Sequence, residues 1–327
     1  MRLTEQRHDL ARNDGAVKGI VRDVSYIRDR IVNVFFFGEP GAGDRNWVLI
    51  DAGLGGSAAR IERVASERFG AGARPAAIVL THGHFDHVGA LKTLAQKWEV
   101  PVYAHELEMP YITGRSSYPP PDPTVGGGAM AALSRLYPRG PIDVGHRALT
   151  LPDDRTVPGM PGWRWIHTPG HTAGHVALFR DSDRLLIAGD AFVTTKQESM
   201  MAVLTQRLEI HGPPAYYTPD WGAARDSVEM LAALEPAIAA TGHGIPWSGP
   251  QMLQELEELA RRFDELAIPR QGRYVREPAV MNADGVVHLP PPVADPLPKI
   301  LAAAAIVAAA GIAVNSMRRR SDEHDVY

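Results

Sequence analysis

Three histidines and an aspartate stand within six residues, His82, His84, Asp86 and His87, in the stretch IVLTHGHFDHVGALKTL that runs from Ile78 to Leu94. Imidazole nitrogens and carboxylate oxygens are the ligands left to a zinc-like ion when thiolates are missing, and this chain of 327 residues has 13 histidines but no cysteine. In an extended segment residues i and i+2 face the same side, so His82 and His84 are placed to meet one ion. Asp86 and His87 follow as the chain turns into helical spacing, and they are placed to meet a second ion close by. The pattern suits two adjacent metals better than one. His87 would sit at the positive end of that helix, which is expected to disfavour its protonation and keep it a neutral ligand. A lone histidine is more often a core or surface residue than a ligand, but a cluster between an apolar run and a helix is a metal signature.

Zinc-like sites need at least three protein ligands, so the rest must come from elsewhere in the chain. The candidates are His171 in TPGHTAGH, Asp190 in LLIAGDAF and His243 in AATGHG. Asp190 and His243 follow apolar runs directly, and His171 follows one through a Thr-Pro-Gly turn. Residues so placed converge at one edge of a sheet, where α/β proteins keep their ligands. His167, His175 and His211 lack this placement in full, and His175 is expected to be a supporting partner or a core residue.

The elements that must position these groups alternate between strand and helix, which makes the class α/β. Val32 to Phe37 and Trp47 to Asp51 are expected as paired strands, and Ala58 to Phe69 as a helix. A buried strand is expected over Ala76 to Leu80, helical spacing from Val88 to Trp98, and a strand at VPVYAH. Thr113 to Met130 is rich in Pro, Gly and Ser, so 114–140 is expected to be a loop or lid inserted into a single domain, 1–290. Gln251 to Leu266 has amphipathic helical spacing. A Pro-rich linker (291–299), an Ala-rich hydrophobic helix (300–317) and a charged tail (318–327) complete the expected organisation.

Net charge is −4, with no basic block in the main body. That argues against a nucleic-acid partner and for a small-molecule substrate. The N-terminus, MRLTEQRHDLARND, is too polar for a secretory signal, so a cytoplasmic location is expected. Ile300 to Val314 carries no polar side chain and would span about 22 Å as a helix, short of a ~30 Å hydrocarbon core. Lys299 and Arg318 could extend it by snorkelling, so 300–317 is expected either to associate with a membrane or to pack on protein.

THGHFDHVGA, with LIDAG upstream and TPGHTAGH, GDAF and TGHG downstream, resembles the metallo-β-lactamase superfamily in the order and type of its motifs. They span Asp51 to His243. The resemblance implies a four-layer αββα sandwich with two divalent metal ions at one edge, zinc first, with iron or manganese as alternatives. It implies that His82, His84 and His171 hold one ion, that Asp86, His87 and His243 hold the other, and that Asp190 bridges them. Asp51 is implied as a supporting residue, and Asp86 as a group that also orients the nucleophile. Cysteine-ligated β-lactamases are excluded by composition, and His84 stands where the flavin-linked di-iron branch has glutamate. The remaining likeness is to glyoxalase II-like thioester hydrolases and lactonases, which implies water activated between two metals and an ester-type bond as substrate. The alternatives are a mononuclear iron persulfide dioxygenase of the same fold and a phosphodiesterase; the acidic balance argues against the latter.

Lys196, Arg207, Tyr216 and Tyr217 lie between Asp190 and His243 in sequence and are candidates to line a substrate pocket, with Arg115 and Tyr118 of the Pro-rich loop behind them. GLGGSA at Gly53 to Ala58 satisfies a dinucleotide fingerprint, but Thr81 and His82 stand where the acidic residue should be. A tight strand-to-helix turn accounts for those glycines.

Overall fold

The computed structural model describes residues 17–294. The helix expected over 300–317, the tail 318–327 and most of the Pro-rich linker lie outside the described residues. The chain divides into two units, and the elements below belong to the first, Met1–Pro291.

Seven strands follow chain order across the first sheet: β1 (Lys18–Val21), β2 (Val24–Asp29), β3 (Val32–Phe37), β4 (Val48–Ile50), β5 (Ala77–Val79), β6 (Val102–Ala104) and β7 (Ala148–Thr150). Neighbours from β1 to β4 are antiparallel, and those from β4 to β7 are parallel. The second sheet holds β8 (Trp163–His167), β9 (Val176–Arg180), β10 (Leu185–Gly189), β11 (Ile238–Thr241) and β12 (Trp247–Ser248), in the order β12-β11-β10-β9-β8. Within it only β10 and β11 run parallel. Parallel neighbours need a crossover, commonly a helix. Here α1 (Ala58–Phe69) joins β4 to β5, α2 (Phe85–Val88) and α3 (Leu91–Trp98) join β5 to β6, and α4 (Trp221–Ala233) lies between β10 and β11. The helix α5 (Pro250–Arg261) follows β12.

Side-chain alternation along the strands sorts the interior into layers. On β3, Val34 and Phe36 face outward to a core shared with Ile61, Val64 and Phe69 of α1 and Leu91, Leu94 and Trp98 of α3. Phe35 and Phe37 face inward and meet Val176 and Leu178 of β9 and Leu185 and Ile187 of β10. The opposite faces of β9 and β10, with Ala177, Phe179 and Leu186, pack under Trp221, Val228 and Leu231 of α4 and Met252 and Leu256 of α5. The result is helix, sheet, sheet, helix: the αββα sandwich.

Two ends of this sandwich are not equivalent. Where β4, β5, β10 and β11 finish, backbone bonds cross between the sheets, from Val176 N–H to Thr81 O at 2.9 Å and from Asn33 N–H to Gly242 O at 2.7 Å. Every strand end that leads into a ligand candidate opens at this edge. The helical pattern from Val88 to Trp98 is interrupted at Gly89 and Ala90, because Gly89 N–H donates to Gly53 O at 2.7 Å and pins the first turn to the β4–α1 connection. That connection, the GLGGSA turn, is held by Asp29, whose Oδ2 accepts Leu54 N–H at 2.8 Å. The pattern over 251–266 likewise divides, into α5 and a separate turn, Phe263–Leu266. β1, β2 and a C-terminal hairpin, β13 (Val280–Asn282) with β14 (Gly285–His288), were not expected from the pattern. Within 114–140 the chain forms only short turns, Pro123–Val125 and Ser134–Leu136, and one short helix, Ala129–Leu133. No helix among the described residues is long and apolar enough to cross a membrane.

Candidate metal centre

The turn after β5 runs extended through His84, whose φ and ψ of −65° and 154° precede α2. His82 and His84 therefore project together, with ring centroids 4.7 Å apart, and His171 approaches both at 4.9 and 4.6 Å. His84 Nδ1 and His171 Nε2 are 2.9 Å apart. One helical turn later, Asp86 and His87 face His243, whose Nε2 lies 3.6 Å from Asp86 Oδ2. Asp190 stands between the two groups. Its Oδ2 is 3.0 Å from His243 Nε2 and 3.4 Å from His171 Nε2, and its Oδ1 is 3.6 Å from His87 Nε2. Three sets of donor atoms each lie within 4.8 Å of one another: His82, His84 and His171; His82, His87 and Asp190; Asp86, His87 and His243.

This cluster fits divalent ions on its own chemistry. His82 Nε2, His87 Nε2 and Asp190 Oδ1 are buried with no hydrogen-bond partner among the described residues. Leaving such atoms unpaired costs about 1–3 kcal/mol each, and cations held in the cluster would satisfy them.

The surroundings hold each donor in place. Asp51 is fully buried with φ at 60°, a left-handed conformation that aspartate tolerates better than most residues. Its Oδ1 accepts Thr81 N–H and its Oδ2 accepts Thr81 Oγ1–H, both at 2.8 Å, while Oδ2 also meets His87 Nδ1 at 2.8 Å. That leaves Nε2 of His87 to face Asp190. His175 accepts Asp190 N–H on Nε2 at 2.9 Å and meets Thr168 Oγ1 through Nδ1 at 2.8 Å, so it supports Asp190 without joining the donor sets. His243 Nδ1 is tied to Ile31 O at 2.6 Å. Asn33, a buried amide in β3, donates from Nδ2 to Thr241 O and Gly244 O at 2.8 and 2.6 Å, clamping both sides of His243. Gly242 has no room for a side chain, because a Cβ there would meet Asp190 Oδ1 at 2.0 Å.

Electrostatics divide the cluster. Burial, reinforced by neighbouring imidazoles, pushes His82 and His84 well below the ordinary imidazole range. Burial also lowers His171 and His175, each to about 3. Burial opposes charge on His87 as well, but the Asp190 and Asp51 carboxylates outweigh it and lift the pKa well above its usual value. On His87 these two carboxylates therefore act against the start of α2, which the sequence had been expected to set against protonation. His243 is raised too, its burial overcome by Asp190 and Asp86. Burial raises Asp86, whereas in Asp190 the pull of His243 and His87 beats burial and holds the carboxyl well below the usual range.

A narrow pocket reaches the cluster at His84 and His171. Tyr118, Thr172, Tyr217 and Tyr274 are among its walls, together with Pro119 and Pro120 of the 114–140 segment. Tyr217 stacks on His84 at 4.3 Å, and Tyr216 packs beside it at 5.4 Å. Three other pocket candidates are not brought here. Arg207 is an exposed side chain 3.7 Å from Glu209, held outward by the end of the short helix Met200–Thr205. Lys196 is half-buried in the turn before that helix and is not among the pocket's walls. Arg115 turns to Thr113 on the surface. No sequence motif marks Glu108, a fully buried carboxylate that accepts bonds from both ligand-bearing loops. Burial raises its pKa against the opposing pull of those donors.

With this fold and this edge-on cluster, the chain belongs to the metallo-beta-lactamase superfamily, which residues 27–243 match. It is 49% identical over 237 residues to the probable metallo-hydrolase YflN of Bacillus subtilis, covering 72% of this chain and 89% of that one. Against the probable metallo-hydrolase YybB of the same organism, identity is 29% over 170 residues, 52% of this chain and 64% of the relative. A beta-lactamase domain protein from Burkholderia ambifaria shares the fold with a TM-score of 0.54 and 17% identity, covering 77% of each chain. A metal-dependent hydrolase is what the family and these relatives support, and the donor groupings are those of a metal-binding protein.

Proposed function

We propose that the protein is a dinuclear metal-dependent hydrolase of an ester-type bond, a thioester or a lactone. His82, His84 and His171 would hold one divalent ion, and Asp86, His87 and His243 the other, with Asp190 between them and zinc as the first choice. The observation that carries this is the position of Asp190, with an oxygen toward each triad and Oδ1 unpartnered beside His87 Nε2. When bound, two such ions supply Lewis acidity and lower the pKa of water towards ~7, which makes a serine or cysteine nucleophile unnecessary.

The chain's own residues account for the remaining tasks. Asp51 fixes the His87 ring so that Nε2 is the free nitrogen. Asp86, buried beside His243, is placed to orient the attacking water as well as to hold its ion. Tyr118, Tyr217 and Tyr274 wall a narrow cleft of about 10 Å³ beside His84, where they would meet a substrate that approaches the cluster from this side. Among the described residues the pocket walls carry no lysine or arginine, which suits an uncharged carbonyl compound better than a phosphodiester, whose recognition calls for cationic side chains. Metal analysis of the purified protein, with turnover assays on thioesters, lactones and phosphodiesters, tests the proposal. Two divalent ions per chain and hydrolysis of a carbonyl ester are expected. One iron per chain at saturation, or phosphodiester cleavage alone, would contradict it.

A further inference from the structure

Glu108 lies outside every donor set, yet four donors close on its carboxylate. Oε1 accepts Thr172 Oγ1–H at 2.6 Å and Gly174 N–H at 3.0 Å, while Oε2 accepts Gly83 N–H at 2.9 Å and the Tyr118 hydroxyl. Gly83 separates His82 from His84, and Thr172 follows His171. One side chain therefore joins the ligand loop of the first sheet to a ligand loop of the second. Tyr118 brings in the 114–140 segment: its ring lies 4.6 Å from that of His84 and stacks on Tyr111 at 3.9 Å.

The fit is closed on both sides. A Cβ on Gly83 would meet Tyr118 Oη at 2.5 Å, and one on Gly174 would meet Glu108 Cγ at 2.8 Å. The glycines inside THGH and TAGH thus admit one carboxylate and its phenol partner. A carboxylate suits the place because it accepts several hydrogen bonds and donates none, whereas an amide would turn an N–H towards another donor. His84 also needs an external brace. Asp51 orients His87 and Ile31 O orients His243, but the described contact of the His84 ring nitrogens is with His171 itself.

We propose that Glu108, with Tyr118, is a positioning residue that sets the spacing of His84 and His171 for a metal ion. The inference rests on the metal-centre proposal above. It is tested on full-length, metal-free protein titrated with Co2+ alone, following visible absorption and affinity, with near-UV circular dichroism to show that each variant is folded. Wild type should take up two Co2+. Glu108→Gln should weaken one of the two by about 10–100-fold and shift its absorption bands. Tyr118→Phe keeps the ring against His84 but loses the hydroxyl, and should weaken the same ion by a smaller factor. A purely structural role would lower the melting temperature and leave the spectrum and affinity of folded protein unchanged. Wild-type spectra and affinities in both variants would overturn the proposal. Should Glu108→Gln fail to fold, Tyr118→Phe decides alone, and unchanged Co2+ binding there overturns it equally. A wild type that binds no Co2+ would sink the metal-centre proposal itself, a failure distinct from one confined to the variants.

Discussion

The two sheets equip the metal centre in different ways. The first supplies His82, His84, Asp86 and His87 from a single turn after β5, where covalent continuity fixes their spacing. The second supplies His171, Asp190 and His243 from three separate connections, so their spacing is a product of strand register and of what packs behind them. The braces follow that division. Asp190 has His175 behind its backbone, His243 has Asn33 on both flanks, and His171 shares Glu108 with the opposite sheet. Local sequence can build half of such a centre; the other half depends on tertiary contacts, and substitutions there should reach the metals from a distance.

The largest effect is expected at Asp190, whose oxygens face His87 from the first sheet and His171 and His243 from the second. Asp190→Asn keeps the shape but removes the charge between the two proposed dications. It should fold, bind its second ion poorly and lose at least about 100-fold in kcat on whichever ester the wild type turns over, since removal of supporting partners alone typically costs 10–100-fold. Two retained ions and near-normal turnover would show that the halves are not joined through this carboxylate.

Asn33→Ala comes next. It strips the bonds to Thr241 O and Gly244 O while leaving every donor in the chain. With two buried carbonyls unpaired, destabilisation of about 1–3 kcal/mol per group is expected, together with weaker binding of the ion near His243. Denaturant unfolding with and without metal measures both. An equal loss of both ions would argue that the clamp acts on the whole fold instead of the second-sheet half.

His175→Ala should be milder. It removes an acceptor from Asp190 N–H but no proposed ligand, so both ions should be retained, with activity reduced by about tenfold, the low end of the 10–100-fold that loss of a supporting partner costs. Loss of a metal in this variant, with Asp190→Asn unaffected, would reverse the two assignments. Arg207→Ala marks the lower end: the side chain is exposed and 3.7 Å from Glu209, and kcat/KM should stay within about twofold.

Legibility in the sequence follows the same division. The cluster between His82 and His87 can be read from spacing, because period two along a strand and the start of a helix determine where neighbours point. His171, Asp190 and His243 share only a weaker mark, a glycine beside a polar residue after an apolar run. Glu108 left almost no trace. In HELEMPY it looks like its exposed neighbour Glu106, and only the bonds to Gly83 and Gly174 separate them. The hint was indirect, a glycine in each histidine motif for which no turn was needed. Asn33 was similar: an amide inside the apolar run VNVFFF is costly unless bonded, and its partners lie about two hundred residues away. Arg207 failed in the other direction, since nearness in sequence to Asp190 and His243 says nothing of which way the chain points a side chain just past a surface helix.

The central claim, two ions joined by Asp190, is tested most directly by anomalous diffraction from crystals of the metal-loaded protein. Two peaks about 3.5–4 Å apart are expected, one against His82, His84 and His171 and the other against Asp86, His87 and His243, with the Asp190 carboxylate touching both. A single peak at full metal loading, or two peaks with Asp190 turned away from them, would contradict it.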